Sequence, residues 1–113
     1  QIQGGIVQGI GEALYEGLNY DENGQLLNTS FSNYLIPTAV EAPDIEIAHL
    51  ETPSPFSETG SKGMGEAPII GSKAVILDAI EDALTPFGIR VNDSPATPEK
   101  VRKWIRQAID QNR

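Results

Sequence analysis

The chain contains no cysteine. That absence removes disulfides, thiolate metal sites and a cysteine nucleophile together. With a single histidine, a protein-ligated zinc or copper centre is poorly supplied as well. Metal chemistry here would need a cofactor that brings its own ligands, and no residue is expected to ligate a metal directly. Positive charge is also scarce: eight Lys and Arg stand against sixteen Asp and Glu, a net charge of -8. That balance repels phosphate backbones and anionic bilayers, so nucleic acid is not an expected partner. No run of 18 apolar residues could span a membrane, and no charged-then-apolar leader is visible. A cytoplasmic protein is expected.

What is present fits a folded domain. The 113 residues are 39% apolar, enough for one domain or a piece of a larger one. A chain of this size can hide roughly two-thirds of its unfolded surface. It opens with "QIQGGIVQGIGEALYEGL", already inside an apolar periodicity and without a capping residue. This reads as the interior of a longer polypeptide whose remainder lies upstream. Ile2, Ile6, Ile10 and Leu14 recur at helical spacing. Gly4, Gly5, Gly9 and Gly11 interrupt them, and each interior glycine costs about 1 kcal/mol relative to alanine. Such a helix needs outside packing. The glycines serve either close contact with a neighbouring element or close approach of backbone to a ligand.

"LNYDENGQLLNTSF" predicts a hairpin around Asp21-Glu22-Asn23-Gly24. Ile45 to Glu51 alternates apolar and polar residues, as a half-buried strand does, with His49 on its polar side. A lone strand histidine is ordinarily just exposed. The 17-residue loop "TPSPFSETGSKGMGEAP" follows, longer than compact domains usually carry without a purpose. A second helix presents Ile70, Ala74, Leu77, Ile80 and Leu84 on one face. A third begins at Thr97-Pro98, a good N-cap and first helical residue. Its stripe is Val101, Trp104, Ile105, Ala108 and Ile109, and Lys100, Arg102, Lys103 and Arg106 crowd the rest. Three helices on a small, mostly antiparallel sheet, an α+β fold, are expected.

The glycine loop carries the chemistry worth weighing. Gly60, Gly63 and Gly65 remove side-chain bulk, so backbone there can lie against a ligand. Glu66 precedes the second helix by one or two residues, and free amides at a helix start favour an anion. Burial under a ligand would push the other way and raise its proton affinity. A carboxylate pulled both ways suits a proton acceptor; a capping or solvated glutamate is the plainer alternative. Lys62 similarly reads as an exposed loop lysine. Gly60-Ser61-Lys62-Gly63 fits the GxxG loop that clamps nucleic-acid backbone, which the acidic balance opposes. A phosphate-binding P-loop fails on spacing.

"GSKGMGEAPIIGSKAVILDAIEDAL" resembles the C-terminal signature of the molybdenum-binding large subunit of the xanthine dehydrogenase and aldehyde oxidase family, which includes aerobic carbon monoxide dehydrogenases. "QIQGGIVQGIGEALYE", "YDENGQLLNTSFSNYLIPTA" and "DSPATPEKVRKW" are similar to further stretches of that family, in the same order. The resemblance implies that residues 1–113 are the C-terminal portion of a larger molybdopterin-binding domain, truncated on its N-terminal side. It implies a cofactor whose dithiolene sulfurs hold molybdenum without a protein ligand. Glu66 falls on the family's catalytic base for transfer of water-derived oxygen to an aldehyde, an N-heterocycle or carbon monoxide. Gln1, Gly63, Met64 and Gly65 fall on cofactor-facing positions. Iron–sulfur clusters and FAD are implied on partner domains or subunits, with the upstream remainder of the subunit and a small-molecule substrate as further partners. Met64 stands where valine is usual, and Gln3 replaces a frequent glutamate. The fragment alone is expected to be inactive. The competing expectation is a scaffold or interaction module of the same fold without chemistry.

Overall fold

A computed structural model describes residues 1–111. Three helices organise them: α1, Ile2–Leu14; α2, Ala67–Leu84, which runs on into one 3₁₀ turn at Thr85–Phe87; and α3, Pro98–Gln111. The helix α1 forms despite its glycines because α2 lies across it. A Cβ added at Gly5 would stand 2.8 Å from the Cβ of Pro68, and one at Gly9 would stand 1.9 Å from Ser72 Oγ. Neither leaves room for a methyl group, so these two glycines are the notch in which α2 rests. Beside the crossing, Lys73 and Glu12 approach to 3.7 Å, an exposed pair that adds little. At the far end of α1 the amide of Ala96 donates to the carbonyl of Ala13 at 2.7 Å. That bond draws the segment before α3 onto α1. Ala13, Leu84, Pro95 and Ala96 are buried apolar residues.

The stripe read from the α2 sequence holds over the second half of the helix, where Leu77 and Ile80 are half-buried and Leu84 is buried, and misses the contact at the start. Ile70 is 77% exposed and Ala74 is exposed too, whereas Pro68, Ile69, Ser72, Ile76, Leu77 and Ile80 are half-buried. Periodicity selects the largest apolar residues. Here the small ones, Pro68 and Ser72, face the glycine notch.

The expected antiparallel sheet does not form, and this corrects the α+β assignment: the described residues are helices joined by long irregular connections. Their one strand-like contact is an isolated antiparallel bridge between Tyr20 and Leu26. The hairpin turn itself is built. Asp21 accepts hydrogen bonds from the amides of Asn23 and Gln25 at 2.9 and 2.8 Å, and Gly24 adopts φ +80°. One step beyond, the buried Asn28 takes over from the ladder, accepting from the Asn19 amide at 3.0 Å and donating to the Gly17 carbonyl. A side-chain amide satisfying backbone groups ends the pairing after a single rung. Ile45 to Glu51 alternates in sequence but has no neighbouring strand among the described residues. Residues 42–53 make no backbone–backbone hydrogen bond within the described chain, and Leu50 is 98% exposed. Alternation shows two faces; it does not supply the strand that would pair with them.

The result is thin. The radius of gyration is 18.2 Å, against about 13 Å for a compact domain of this length. The accessible surface is 8795 Å², against about 6,100 Å² for a folded monomer of this mass. Phe31, Val40, Leu50 and Phe56 stand in solvent.

The segment leading into α3 is tethered by Asp93, whose carboxylate meets Lys100 Nζ at 2.7 Å. The hydrogen bond from Lys100 holds the Asp93 carboxyl below its ordinary value. A carboxyl lowered in the folded state contributes stability above its unfolded value and loses it as pH falls through the folded one. Acidification below about pH 4 should therefore loosen the start of α3, read as faster hydrogen exchange at residues 97–101 after correction for intrinsic rates. Asp93→Asn should reduce that pH dependence, the remainder belonging to Glu99, whose carboxyl is held low by its own backbone amide and the Thr97 side chain; an unchanged dependence would refute the tether.

Candidate functional site

The long loop ahead of α2 is folded back on itself. Lys62 Nζ donates to Thr52 Oγ1 at 2.5 Å and closes its base. Inside, the Ser54 amide donates to the Gly60 carbonyl at 2.9 Å and the Gly60 amide to the Ser57 carbonyl at 3.1 Å. Ser57 Oγ adds a bond to the Ser61 carbonyl at 3.1 Å. Gly60 sits at φ +71°, and a Cβ there would stand 2.9 Å from the Cβ of Pro53. Glycine is required on both counts. Lys62 is thus the latch of a closed loop. Neither Thr52 nor this latch was expected from the sequence, because a lysine–threonine bond ten residues apart has no periodic signature.

Beyond the latch the chain opens. A Cβ at Gly63 would meet nothing within 4 Å, and one at Gly65 would meet Gln1 Nε2 alone, at 4.0 Å. Gln1 reaches across from the start of α1, and its Nε2 donates to the Gly65 carbonyl at 2.7 Å. Two of the expected site residues, 64 positions apart, are thereby joined. The amides of residues 63–66 donate to no carbonyl or side chain within the described chain. A short run of unspent donors therefore precedes the helix.

Glu66 is the N-cap of α2, at φ -103° and ψ -3°, and its side chain makes no capping hydrogen bond. It is exposed. Of the plainer alternative, the capping form fails, and an exposed carboxylate without a partner among the described residues remains. The expected supply of free amides in the first turn of α2 needs correcting. Ala67 N–H reaches the Met64 carbonyl at 3.4 Å, Ile69 N–H takes the Glu66 carbonyl at 3.2 Å, and Pro68 has no N–H. The donors that remain lie before Glu66, not after it.

Met64 is 63% exposed. It helps line a groove of about 510 Å³ with Ile2, Ile6, Ala67, Pro68 and Val75. That lining is almost wholly apolar and does not suit a phosphate-bearing group. A polar ligand would rest instead against the bare glycines and free amides on the Gly63–Gly65 side. His49 is exposed and makes no side-chain hydrogen bond within the described chain. It takes no part in the site.

Replacing Gln1 by alanine should release the Gly65 carbonyl and leave the carboxylate loop less fixed. One such bond contributes about 1 kcal/mol. Backbone NMR order parameters at Gly65 and Glu66 should fall with little change in global unfolding. Unchanged order parameters would show that the bond does not hold the loop.

Comparison with known proteins identifies relatives of the chain. Residues 1–43 match the family model of a molybdopterin cofactor-binding domain. The chain is 50% identical over 110 residues to the nicotine 6-hydroxylase large subunit of Paenarthrobacter nicotinovorans, covering 97% of this chain and 14% of that one. It is 36% identical over 107 residues to the carbon monoxide dehydrogenase large chain of Hydrogenophaga pseudoflava, covering 95% and 13%. Among solved structures it superposes on quinoline 2-oxidoreductase from Pseudomonas putida 86 with a TM-score of 0.89 and 45% identity, covering 94% of this chain and 14% of that one. The chain thus spans about a seventh of the length of these relatives.

Proposed function

Because the chain belongs to the family of molybdopterin-binding large subunits that includes xanthine dehydrogenases, aldehyde oxidases and carbon monoxide dehydrogenases, we propose that it supplies the proton-accepting carboxylate, Glu66, of a molybdenum hydroxylase. The observation that carries this reading is the unpartnered Glu66 carboxylate directly after Gly65, whose carbonyl is tied to Gln1.

The residues fit a molybdopterin. Gly63 and Gly65 present bare backbone where any side chain would fill the space, and the unspent amides of residues 63–66 suit an anionic, acceptor-rich group. The chain has no cysteine to compete for the metal. Gly63 and Gly65 would lie against the cofactor, Gln1 would offer it the side-chain oxygen and second amide hydrogen left by its bond to Gly65, and Met64 would shield the loop from the apolar side. When bound, the cofactor would supply the two-electron redox centre. Glu66 would receive, on one carboxylate oxygen, the proton that leaves a water-derived nucleophile as it attacks an electron-poor carbon. Placement does the rest: an ionised carboxylate held within hydrogen-bond reach is what general-base catalysis requires.

An N-heteroaromatic substrate is the reading best supported. The relatives named for nicotine and quinoline chemistry are 50% and 45% identical to the chain, and the carbon monoxide dehydrogenase is 36% identical. The rest of the large subunit, iron–sulfur components and a flavin component would complete the enzyme. Among the described residues no helix is long and apolar enough to cross a membrane. The test is purification of the full-length subunit with its partners. Stoichiometric molybdenum, and a product oxygen labelled from isotopic water, are expected; a metal-free protein with a normal fold would leave a scaffold module instead.

A further inference from the structure

We propose that Lys62 and Thr52 are positioning residues for the Glu66 carboxylate, acting through the hydrogen bond that closes the loop in front of it. The proposal rests on the reading of Glu66 as the proton acceptor, and its test separates the two.

The partner that Lys62 takes is the first observation. The chain has sixteen carboxylates, and Glu51 and Glu58 lie close to Lys62 in sequence. Yet among the described residues Lys62 has no carboxylate within ion-pair distance. Its ammonium donates instead to Thr52 Oγ1 at 2.5 Å, a charge-assisted bond to a neutral group. A hydroxyl carries no net charge to draw a lysine from afar. The bond therefore depends on the backbone bringing residues 52 and 62 together, and it holds them there.

The second observation is where this bond falls. Inside the loop, the Ser54 amide, the Gly60 amide and Ser57 Oγ are all spent on loop carbonyls. Those bonds reach as far as Ser61 and stop. Before Thr52, residues 42–53 make no backbone–backbone hydrogen bond within the described chain, and after Lys62 the amides of residues 63–66 donate to nothing there. The Lys62–Thr52 bond is thus the last fixed point on the approach to Glu66. The next is the bond from Gln1 to the Gly65 carbonyl.

Only Gly63 and Met64 separate these two anchors. A Cβ at Gly63 would meet nothing within 4 Å, and Met64 is 63% exposed, so neither residue is held by packing. One anchor would leave the segment free to turn about it; two fix its direction. Released at Lys62, the chain can pivot at Gly63 and carry Gly65 and the Glu66 backbone with it. A base must lie within hydrogen-bond reach of its proton, and small misplacements are costly in rate.

The experiment uses the full-length subunit in its native complex. Lys62→Met removes the donor and keeps the length of the side chain; Thr52→Val removes the acceptor and keeps its shape. Each should lower kcat about five- to tenfold, roughly the worth of one such bond, at nearly constant KM and unchanged molybdenum content. The two together should cost no more than either alone, because they break one shared interaction. Thr52→Ser keeps the hydroxyl and should retain the activity. Independently of turnover, hydrogen exchange at the Ser54 and Gly60 amides, both bonded inside the loop, should quicken several-fold in Lys62→Met and Thr52→Val. Thermal melting confirms that each variant folds. If Glu66→Gln is inactive while both latch variants turn over normally, the positioning proposal is overturned and the base assignment stands. Normal turnover of Glu66→Gln overturns the base assignment and this proposal with it. Additive losses, unchanged exchange, or loss of molybdenum in Lys62→Met alone also overturn the proposal, since Lys62 would then act elsewhere than on Thr52.

Discussion

Replacing Glu66 by glutamine in the complete enzyme should lower kcat by about 10²- to 10⁴-fold, the range in which a positioned acid or base usually acts, while molybdenum and pterin content persist. Glutamine keeps the size and hydrogen-bonding reach of the side chain but cannot accept a proton at its amide oxygen in the working pH range. The substitution should leave the fold alone, because the Glu66 side chain makes no hydrogen bond within the described chain and caps no helix. Surface changes away from such features usually stay within about 0.5 kcal/mol. Loss of activity with a normal melting temperature would therefore report chemistry. The way the loss divides between kcat and KM separates a base from a binding group. A rise in KM at constant kcat would mean that Glu66 only binds substrate. Near-normal turnover would end the assignment.

The parts of this protein legible in the sequence are those in which neighbours along the chain suffice. Thr97-Pro98 announces the start of α3 because capping and the fixed φ of proline are local effects. Asp21 and Gly24 make their turn for the same reason. The sheet was misread because a strand is a relation between segments. Ile45 to Glu51 carries the pattern and lacks the partner, while Asn28 intercepts the other candidate pairing with its side chain. The site divides in the same way. Glu66, Gly63 and Gly65 stand out as a motif, and Gln1 was placed through a family likeness. Its bond to Gly65 is a meeting of residues 64 apart that no spacing rule encodes. The Lys62–Thr52 latch and the seating of Pro68 and Ser72 against the glycine notch are hidden for that reason too.

The glycine notch yields the second large effect, and Gly4 and Gly9, on different faces of α1, should respond in opposite directions. Gly9→Ala places a methyl group 1.9 Å from Ser72 Oγ, 2.9 Å from Ser72 Cβ and 3.2 Å from the Lys73 amide nitrogen. Rotating the serine hydroxyl relieves the first contact only. The other two belong to the α2 framework, so the helices must move apart. Alanine improves helix propensity by about 1 kcal/mol, but overpacking of this kind costs about 1 to 3 kcal/mol, and a bulkier Gly9→Val should cost more. The damage should reach the site, because Gln1 at the head of α1 holds the Gly65 carbonyl. Separation of the helices draws that amide away from the loop carrying Glu66. Gly4→Ala is the control: a Cβ there meets nothing within 4 Å, so only the propensity gain remains and the melting temperature of the chain should hold or rise. Ser72→Gly in the Gly9→Ala background removes both serine contacts and should recover part of the loss. Equal responses at Gly4 and Gly9 would mean that α2 does not rest in the notch, and the route from helix crossing to carboxylate would then be broken.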